Sequence, residues 1–279
     1  DELRSQGYKN IIEMPSWACD LRDYEQCEQY LNECAPDVIF AVASKVGGIQ
    51  ANMAAPADFF WDNMCIGTNL IHAASRDRYL KKFVQVGTCC SYADTSPIPF
   101  IEDDLFHGGA PNFSNRSYGV VKLSLYYMLE AYEKQYGMRG AYIIPMNMMG
   151  KYDNFDEKKS HFVPAIIKKV ASAIENKLDY ITVWGSPDAS RELVDARDVS
   201  RALVAAMNYR GALTPINVGT GIERTIKEAV ETICEVMNFD GDIHWDSSKP
   251  VGQQRRSMCI DRAKKLLNWK PTIKFKESI

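Results

Sequence analysis

Apolar positions along the first half of the chain fall into two alternating rhythms. Short continuous apolar runs predict buried strands, and longer stretches with apolar residues at turn spacing predict helices. Asn10-Ile-Ile-Glu-Met reads as a strand, Tyr24 to Cys34 as a helix and Asp37-Val-Ile-Phe-Ala-Val-Ala as a buried strand. Ala57 to Ser75 is a helix, Phe83-Val-Gln-Val-Gly a strand, Tyr118 to Tyr136 a long helix and Gly140-Ala-Tyr-Ile-Ile-Pro a strand. Strand-helix-strand repetition predicts an α/β fold, a Rossmann-like doubly wound parallel sheet covered on both faces. Ligands in such sheets bind outside the carboxyl ends of the strands.

After Pro145 the rhythm loosens. Lys151 to Ser160 is polar and reads as a loop, and Phe162 to Asn176 as an amphipathic helix. Trp184-Gly-Ser ends a strand, and Asp198 to Met207 is a helix with Asp198 as its N-cap. Ile216-Asn-Val-Gly-Thr-Gly is a strand and turn, and Thr225 to Met237 the last long helix. The expected division is a dinucleotide-binding domain over 1–146, with a returning segment near 178–207, interleaved with a smaller substrate lobe over 147–279. A dinucleotide fold normally opens with a strand and a Gly-rich turn whose amides hold the pyrophosphate. Nothing here matches it, and Gly47-Gly48 follows a later strand. Leu3-Arg-Ser-Gln-Gly reads as a helix end, and Lys276-Glu-Ser-Ile as the entry to another helix. The chain is therefore expected to begin just after the first strand-turn-helix, with both ends cut, and to bind a dinucleotide poorly without that turn.

Composition narrows the classes. The 279 residues are 46% hydrophobic and 25% charged, ordinary values for a globular protein. A formal net charge of -3 gives no electrostatic case for nucleic-acid binding. No apolar run approaches the roughly 18 residues of a membrane span, and the N-terminus does not read as a signal peptide. The eight cysteines form no Cys-x-x-Cys pair and no zinc-ligand spacing. They read as mostly buried, reduced thiols of a cytoplasmic protein, and no metal site is expected. Asn112-Phe-Ser and Asn115-Arg-Ser match the glycosylation triplet and read as chance.

The sharpest chemical signal is Tyr118 and Lys122, four residues apart in Ser-Tyr-Gly-Val-Val-Lys-Leu. Four residues is just over one helical turn, so both side chains share a face. An ammonium beside a phenol is expected to lower the usual phenol pKa of about 10, making Tyr118 a usable proton donor near neutral pH. A solvated helix face produces the same pair often, so the surroundings decide. Gly87-Thr-Cys-Cys-Ser-Tyr follows a strand at the carboxyl edge, where Thr88 offers a hydroxyl, and Pro145-Met-Asn-Met-Met-Gly closes the next strand.

This order resembles the extended short-chain dehydrogenase/reductase family. Ala43-Ser-Lys-Val-Gly-Gly-Ile, Pro56-Ala-Asp-Phe, Asp153-Asn-Phe, Ser160-His161, Trp184-Gly-Ser, Ser190-Arg-Glu, Ile216-Asn-Val-Gly-Thr-Gly and Ser248-Lys-Pro-x-Gly together look like its GDP-L-fucose synthase branch. Those enzymes are GDP-4-keto-6-deoxymannose 3,5-epimerase/4-reductases. The resemblance covers essentially the whole chain except the Gly-rich turn and a C-terminal tail. It implies that Thr88 replaces the catalytic serine, that Tyr118 protonates the C4 oxygen as hydride arrives, and that Lys122 holds the nicotinamide ribose. It implies that Cys90 and His161 move protons at C3 and C5. Cys90 alone reads as a small buried hydrophobe, and His161 alone as a cap for the helix beginning near Phe162.

By the same resemblance the cofactor-binding residues are Asp20 near the adenine amino group, Ala43, Lys45, Gly87, Tyr118, Lys122, Pro145, Asn147 and His161. Substrate binding falls to Asn147, Lys169, Trp184, Arg191, Arg255 and Arg256, the cations facing a diphosphate. Trp184 equally suits a core, and Lys169 a solvated helix face. NADP(H) is the expected cofactor. NAD(H) stays open, because no Arg stands in Glu13-Met-Pro-Ser-Trp-Ala-Cys-Asp20 and Glu13 suits a ribose 2'-hydroxyl. The partners implied are a GDP-4-keto-6-deoxy sugar and a second copy of the chain, paired through the helices from Ala57 and from Tyr118. The rival readings are a C4 reductase without epimerisation, on another GDP-deoxysugar or a GDP-heptose, and a non-catalytic dinucleotide sensor.

Overall fold

The computed structural model describes residues 1–156, 160–248 and 252–279. The chain opens with a short turn of helix, α1 (Glu2–Ser5), then an irregular stretch and α2 (Tyr24–Cys34). Asp23 caps α2 by accepting from the Gln26 amide at 3.2 Å. Next come β1 (Val38–Ala41), α3 (Ile49–Ala54), α4 (Pro56–Ala74), β2 (Lys82–Val86), α5 (Arg116–Tyr136) and β3 (Gly140–Pro145). The second half supplies β4 (Asn147–Met149), α6 (Phe162–Glu175), β5 (Tyr180–Trp184), β6 (Ser190–Asp195) and α7 (Ala196–Met207). It ends with β7 (Pro215–Val218), β8 (Glu223–Thr225), α8 (Ile226–Val236), β9 (Asp242–Asp246) and α9 (Asp261–Leu267).

The main sheet is parallel, in the order β1-β2-β3-β7. Every residue of β2, β3 and β7 is buried, which is why these strands read as unbroken apolar runs rather than as alternation. Phe83, Tyr142, Leu125, Ile144, Ile216, Val199 and Ala263 belong to one core around this sheet, so α5, α7 and α9 all contribute to it. A second core, with Val170, Ile181, Val183, Val230 and Ile233, fills the smaller lobe between α6, α8 and the parallel β5-β9 pair. Between them lies a short sheet in the order β4-β6-β8. Within the second half, β5 packs in the small lobe, while α7 and β7 pack in the first core.

Two local expectations are corrected. Asn10 to Met14 forms no strand. Ile12 is exposed, and β1 ladders only with β2, so no neighbouring strand supplies hydrogen bonds to this run. Asp198 is not the N-cap of α7: Asp195 is, accepting from the Arg197 amide at 2.7 Å. Asp198 lies one turn inside, fully buried, accepting from the Thr272 and Ile273 amides at 3.0 Å each and pairing with Arg201. The C-terminal residues make a 3-10 turn, Phe275–Glu277. The polar loop expected at 151–160 and the motif at 248–252 lie partly outside the described residues. All eight cysteines are free, and Cys19, Cys27, Cys89 and Cys234 are buried. No helix among the described residues is long and apolar enough to cross a membrane.

Candidate active site

β2 ends at Val86, and the chain turns at once into a short 3-10 turn, Cys89–Ser91. Thr88 caps it, its hydroxyl accepting from the Cys90 amide at 3.2 Å. Two glycines permit the geometry. A Cβ on Gly87 would stand 2.6 Å from the Tyr142 ring, and one on Gly119 would stand 2.2 Å from the Cys90 carbonyl oxygen. Gly119 therefore lets α5 press against the turn, and Ser91 fastens the contact by donating to the Gly119 carbonyl at 2.8 Å. Tyr118 precedes that glycine, so the phenol arrives beside Cys90.

Lys122 is buried, with Nζ 5.7 Å from the centre of the Tyr118 ring. It donates to the Val86 carbonyl at 2.9 Å. Burial lowers its pKa to about 8. The expectation that Lys122 lowers the Tyr118 pKa is corrected. Burial, reinforced by charge on Cys90, raises the Tyr118 phenol well above its usual value, and a hydrogen bond with Ser44 opposes this only in part. The pair still shares a face, but desolvation outweighs proximity.

Cys90 sits in a different environment. Asn115 donates Nδ2 to its sulfur at 2.8 Å, and Arg256 approaches with Nη1 at 3.5 Å. The same guanidinium nitrogen is 3.9 Å from the Cys89 sulfur. A hydrogen bond from the Cys89 thiol lowers the Cys90 pKa, burial opposes it, and the Arg256 charge lowers it further. That hydrogen bond, with burial, raises Cys89 instead. Cys90 is thus the more acidic of the pair. Burial works against the Arg256 charge, but the two sulfurs hold it above its ordinary range.

The site's rim comes from the small lobe. Arg191, on β6, is lowered to about 10 by burial, with the Arg256 charge adding to the effect. Its Nη1 donates to the Ser190 carbonyl at 2.6 Å. Lys169 and Trp184 come together: the ammonium lies 4.6 Å from the indole centre and donates to the Thr182 carbonyl at 2.7 Å. Trp184 is half-exposed at its strand end rather than in the core. His161 is exposed at the N-cap position of α6, and its side chain makes no cap bond. A Cβ on Gly48 would stand 3.0 Å from the Ser160 carbonyl oxygen, which brings the Gly47-Gly48 loop against the Ser160-His161 segment.

Other expected site residues are engaged elsewhere. Arg255 is exposed and pairs with Glu223 at 2.6 Å, so its charge is already matched. Asn147 donates to the Glu192 carbonyl at 2.9 Å. Pro145 ends β3 opposite Val218, and Ala43 is exposed in the loop after β1. Lys45 is bound to Asp62 on α4 at 2.7 Å. Asp20 is held by Arg22 at 2.7 Å, and Glu13 by Arg4 at 2.8 Å. Sequence reasoning missed Asn115, whose triplet read as chance, and the buried Glu192. Its only signal for Glu192 was the Ser190-Arg-Glu motif.

As a fit for a dinucleotide, the donor set is strongest at the nicotinamide end. Lys122 has three N–H donors, one of them used by Val86, and stands beside Tyr118 at the carboxyl edge of the sheet. Those two residues suit a ribose diol.

The protein-family model described as the NAD dependent epimerase/dehydratase family matches residues 3–219. The chain is 34% identical over 277 residues to probable GDP-L-fucose synthase 1 of Oryza sativa subsp. japonica, covering 99% of this chain and 84% of the relative. Among solved structures, a GDP-6-OMe-4-keto-L-xylo-heptose reductase from C. jejuni superposes with a TM-score of 0.90 at 25% identity, covering 99% of this chain and 89% of that one. A GDP-L-fucose synthetase from Naegleria fowleri bound to NADP gives a TM-score of 0.87 at 25% identity, with 99% and 86% covered. With residues 3–219 spanning both the parallel sheet and the Cys90–Tyr118–Lys122 cluster, the chain belongs to the NAD dependent epimerase/dehydratase family.

Proposed function

We propose that this protein is an NADP(H)-dependent epimerase/reductase of the GDP-L-fucose synthase type, acting on a GDP-4-keto-6-deoxy-hexose. The observation that carries the reading is one cluster of side chains holding two kinds of chemistry. Asn115 and Arg256 converge on the Cys90 sulfur, and Tyr118 with Lys122 stands at the start of α5, whose Gly119 packs on the Cys90 backbone. A C4 ketone acidifies the C3 and C5 hydrogens, so a thiolate base there can remove one while a second group delivers a proton to the opposite face. His161 is the candidate for the second group. Tyr118, its phenol kept protonated by burial, donates to the C4 oxygen, with Thr88 offering its hydroxyl to the same atom. Lys122 holds the ribose, and bound NADP(H) would supply the hydride to C4. Lys169, Trp184 and Arg191 orient the GDP moiety, through cations on the diphosphate and the half-exposed indole.

Incubation with GDP-4-keto-6-deoxymannose and NADPH in deuterated water tests this. The expected product carries deuterium at C3 and C5. A reduced product without label at those carbons would sink the epimerase half and leave a C4 reductase. The superposition on a GDP-heptose reductase favours that second reading.

The partner is a second copy of the chain, docked through α4 and α5. Trp61 and Phe60 on α4 and Tyr127 on α5 are exposed, an apolar surface suited to a two-fold interface. Sedimentation should give a dimer that Trp61→Glu converts to monomer; a wild-type monomer rejects the proposal. The cytoplasm is the proposed location, consistent with eight free thiols, and cell fractionation checks it.

A further inference from the structure

Arg256 was expected on a diphosphate, but its surroundings are wrong for that task. The residue is 8% exposed, and its Nε is already bound to the Gln253 side chain at 3.1 Å. Its remaining fork faces sulfur, with Nη1 at 3.5 Å from Cys90 and 3.9 Å from Cys89. A buried guanidinium needs a matching anion, because the desolvation of an unpaired charge goes unrepaid. The charges that favour Arg256 are those of the two sulfurs.

What holds Arg256 there is Glu192. This carboxylate is fully buried in β6 and accepts three backbone amides: Thr220 at 2.6 Å, Gly221 at 2.9 Å and Met258 at 2.9 Å. The backbone around it repeats the connection. The Glu192 amide donates to the Arg256 carbonyl at 3.0 Å, and the Ser190 amide to the Gln254 carbonyl at 2.9 Å. Residues 254–258 are thereby laid alongside β6 and tied to the turn that follows β7. A Cβ on Gly219 would meet the Glu192 carboxylate, so that turn closes directly over it.

We propose that Arg256 is the positioning residue that keeps Cys90 as a thiolate base, and that Glu192 is the clamp that sets Arg256 against it. This rests on the epimerase reading given above. The Cys90 sulfur takes the proton from C3 or C5 as the C–H bond breaks and an S–H bond forms. The electron pair left behind passes into the enediolate with the C4 ketone. Without a fixed cation, a thiol of ordinary pKa, about 8.5, is only a few per cent thiolate at pH 7. The groups facing Cys90 are Thr88 and Cys89 on its own turn, Asn115 from the turn before α5, Tyr118 on α5, Arg191 on β6 and Arg256. Arg256 is the cation nearest the sulfur. Arg191 feels both the sulfur and the repulsion of Arg256.

The test needs no sugar. The rate of Cys90 alkylation by iodoacetamide is followed from pH 5 to 10 in the full chain, with fragment-ion mass spectrometry separating Cys90 from Cys89. The wild-type midpoint should lie below the ordinary thiol value, and Arg256→Met should move it up by at least about one pH unit, slowing alkylation about tenfold at pH 7. Arg256→Lys should keep most of the wild-type behaviour, and Glu192→Gln should shift the midpoint upward by less. A merely structural role would change the rate at every pH without moving the midpoint. A midpoint equal in wild type and Arg256→Met overturns the proposal; if that variant does not fold, Arg256→Gln, which keeps a donor amide and loses the charge, decides in its place. Absence of C3 and C5 exchange in the wild type, with the midpoint still shifting in Arg256→Met, would overturn the epimerase reading and leave the Arg256–Cys90 pair standing.

Discussion

Two buried cations stand at the two ends of this cluster, and they are held in opposite ways. Lys122 donates to a neutral backbone carbonyl, so nothing offsets its desolvation and its pKa drops to about 8. Arg256 faces two sulfurs, which offset its desolvation and hold its charge. The chemistry matches the difference. A lysine whose proton is loosely held suits a relay beside a phenol, whereas an arginine cannot deprotonate in a protein and suits a permanent counter-charge. Gly119 brings the two ends together, since the packing of α5 on the Cys89–Ser91 turn places Tyr118 and Cys90 side by side. On the proposed function, one end moves a proton with hydride transfer and the other keeps an anion at neutral pH.

The largest effects should come from removing the reacting group at either end. Tyr118→Phe should lower reduction by about 10²- to 10⁴-fold, the usual contribution of a general acid. Deuterium exchange at C3 and C5 should survive in that variant. Cys90→Ser should do the reverse: exchange falls by a similar factor, and a substrate that needs no epimerisation is still reduced. NMR of the exchanged sugar and NADPH absorbance measure the two halves separately. Parallel loss of both in either variant would break the comparison, because the cluster would then act as one unit.

The two ends also differ in how much of them the sequence reveals. Tyr118 and Lys122 are four residues apart, so helix geometry alone puts them on one face. Cys90 and Arg256 are 166 residues apart, and only the path of the 254–258 segment along β6 joins them. Arg255 and Arg256 looked equivalent in the chain, but the structure sends one to Glu223 and the other inward. Asn115 looked like a chance triplet because its value lies in a contact to Cys90 across a turn. The fold follows the same division. α2 and β3 have the bounds that apolar periodicity predicts, Tyr24–Cys34 and Gly140–Pro145, because burial pattern is local to each. Asn10 to Met14 has the apolar pattern of a strand, but a strand also needs a partner, which a local pattern does not carry. At α7, Asp195 and Asp198 are both acids near a helix start, and the tertiary bonds to Thr272 and Ile273 decide which one caps.

A smaller effect sharpens the contrast between the cations. Lys122 holds its proton less tightly in the folded protein than in the unfolded chain, where its pKa returns to about 10.4. Between about pH 8 and that value the unfolded state binds more protons, so this group's contribution to stability rises with pH across the window. At pH 7 the buried ammonium is a cost. Lys122→Met should therefore be the more stable protein at pH 7, by about 1 to 2 kcal/mol once the lost bond to Val86 is set against the relieved desolvation. Its reduction activity should be lost. The advantage should shrink as pH climbs from 8 to 10, because wild-type Lys122 then sheds its charge. Arg256→Met should trend the other way: its deficit widens as pH rises through the Cys90 midpoint, because the variant's thiol must then ionise without its counter-charge. Urea unfolding of the three proteins at pH 7, 8, 9 and 10 measures both slopes. A Lys122→Met difference that stays flat over that range would mean that the ammonium is not held at a desolvation cost, and the contrast with Arg256 would fail at its base.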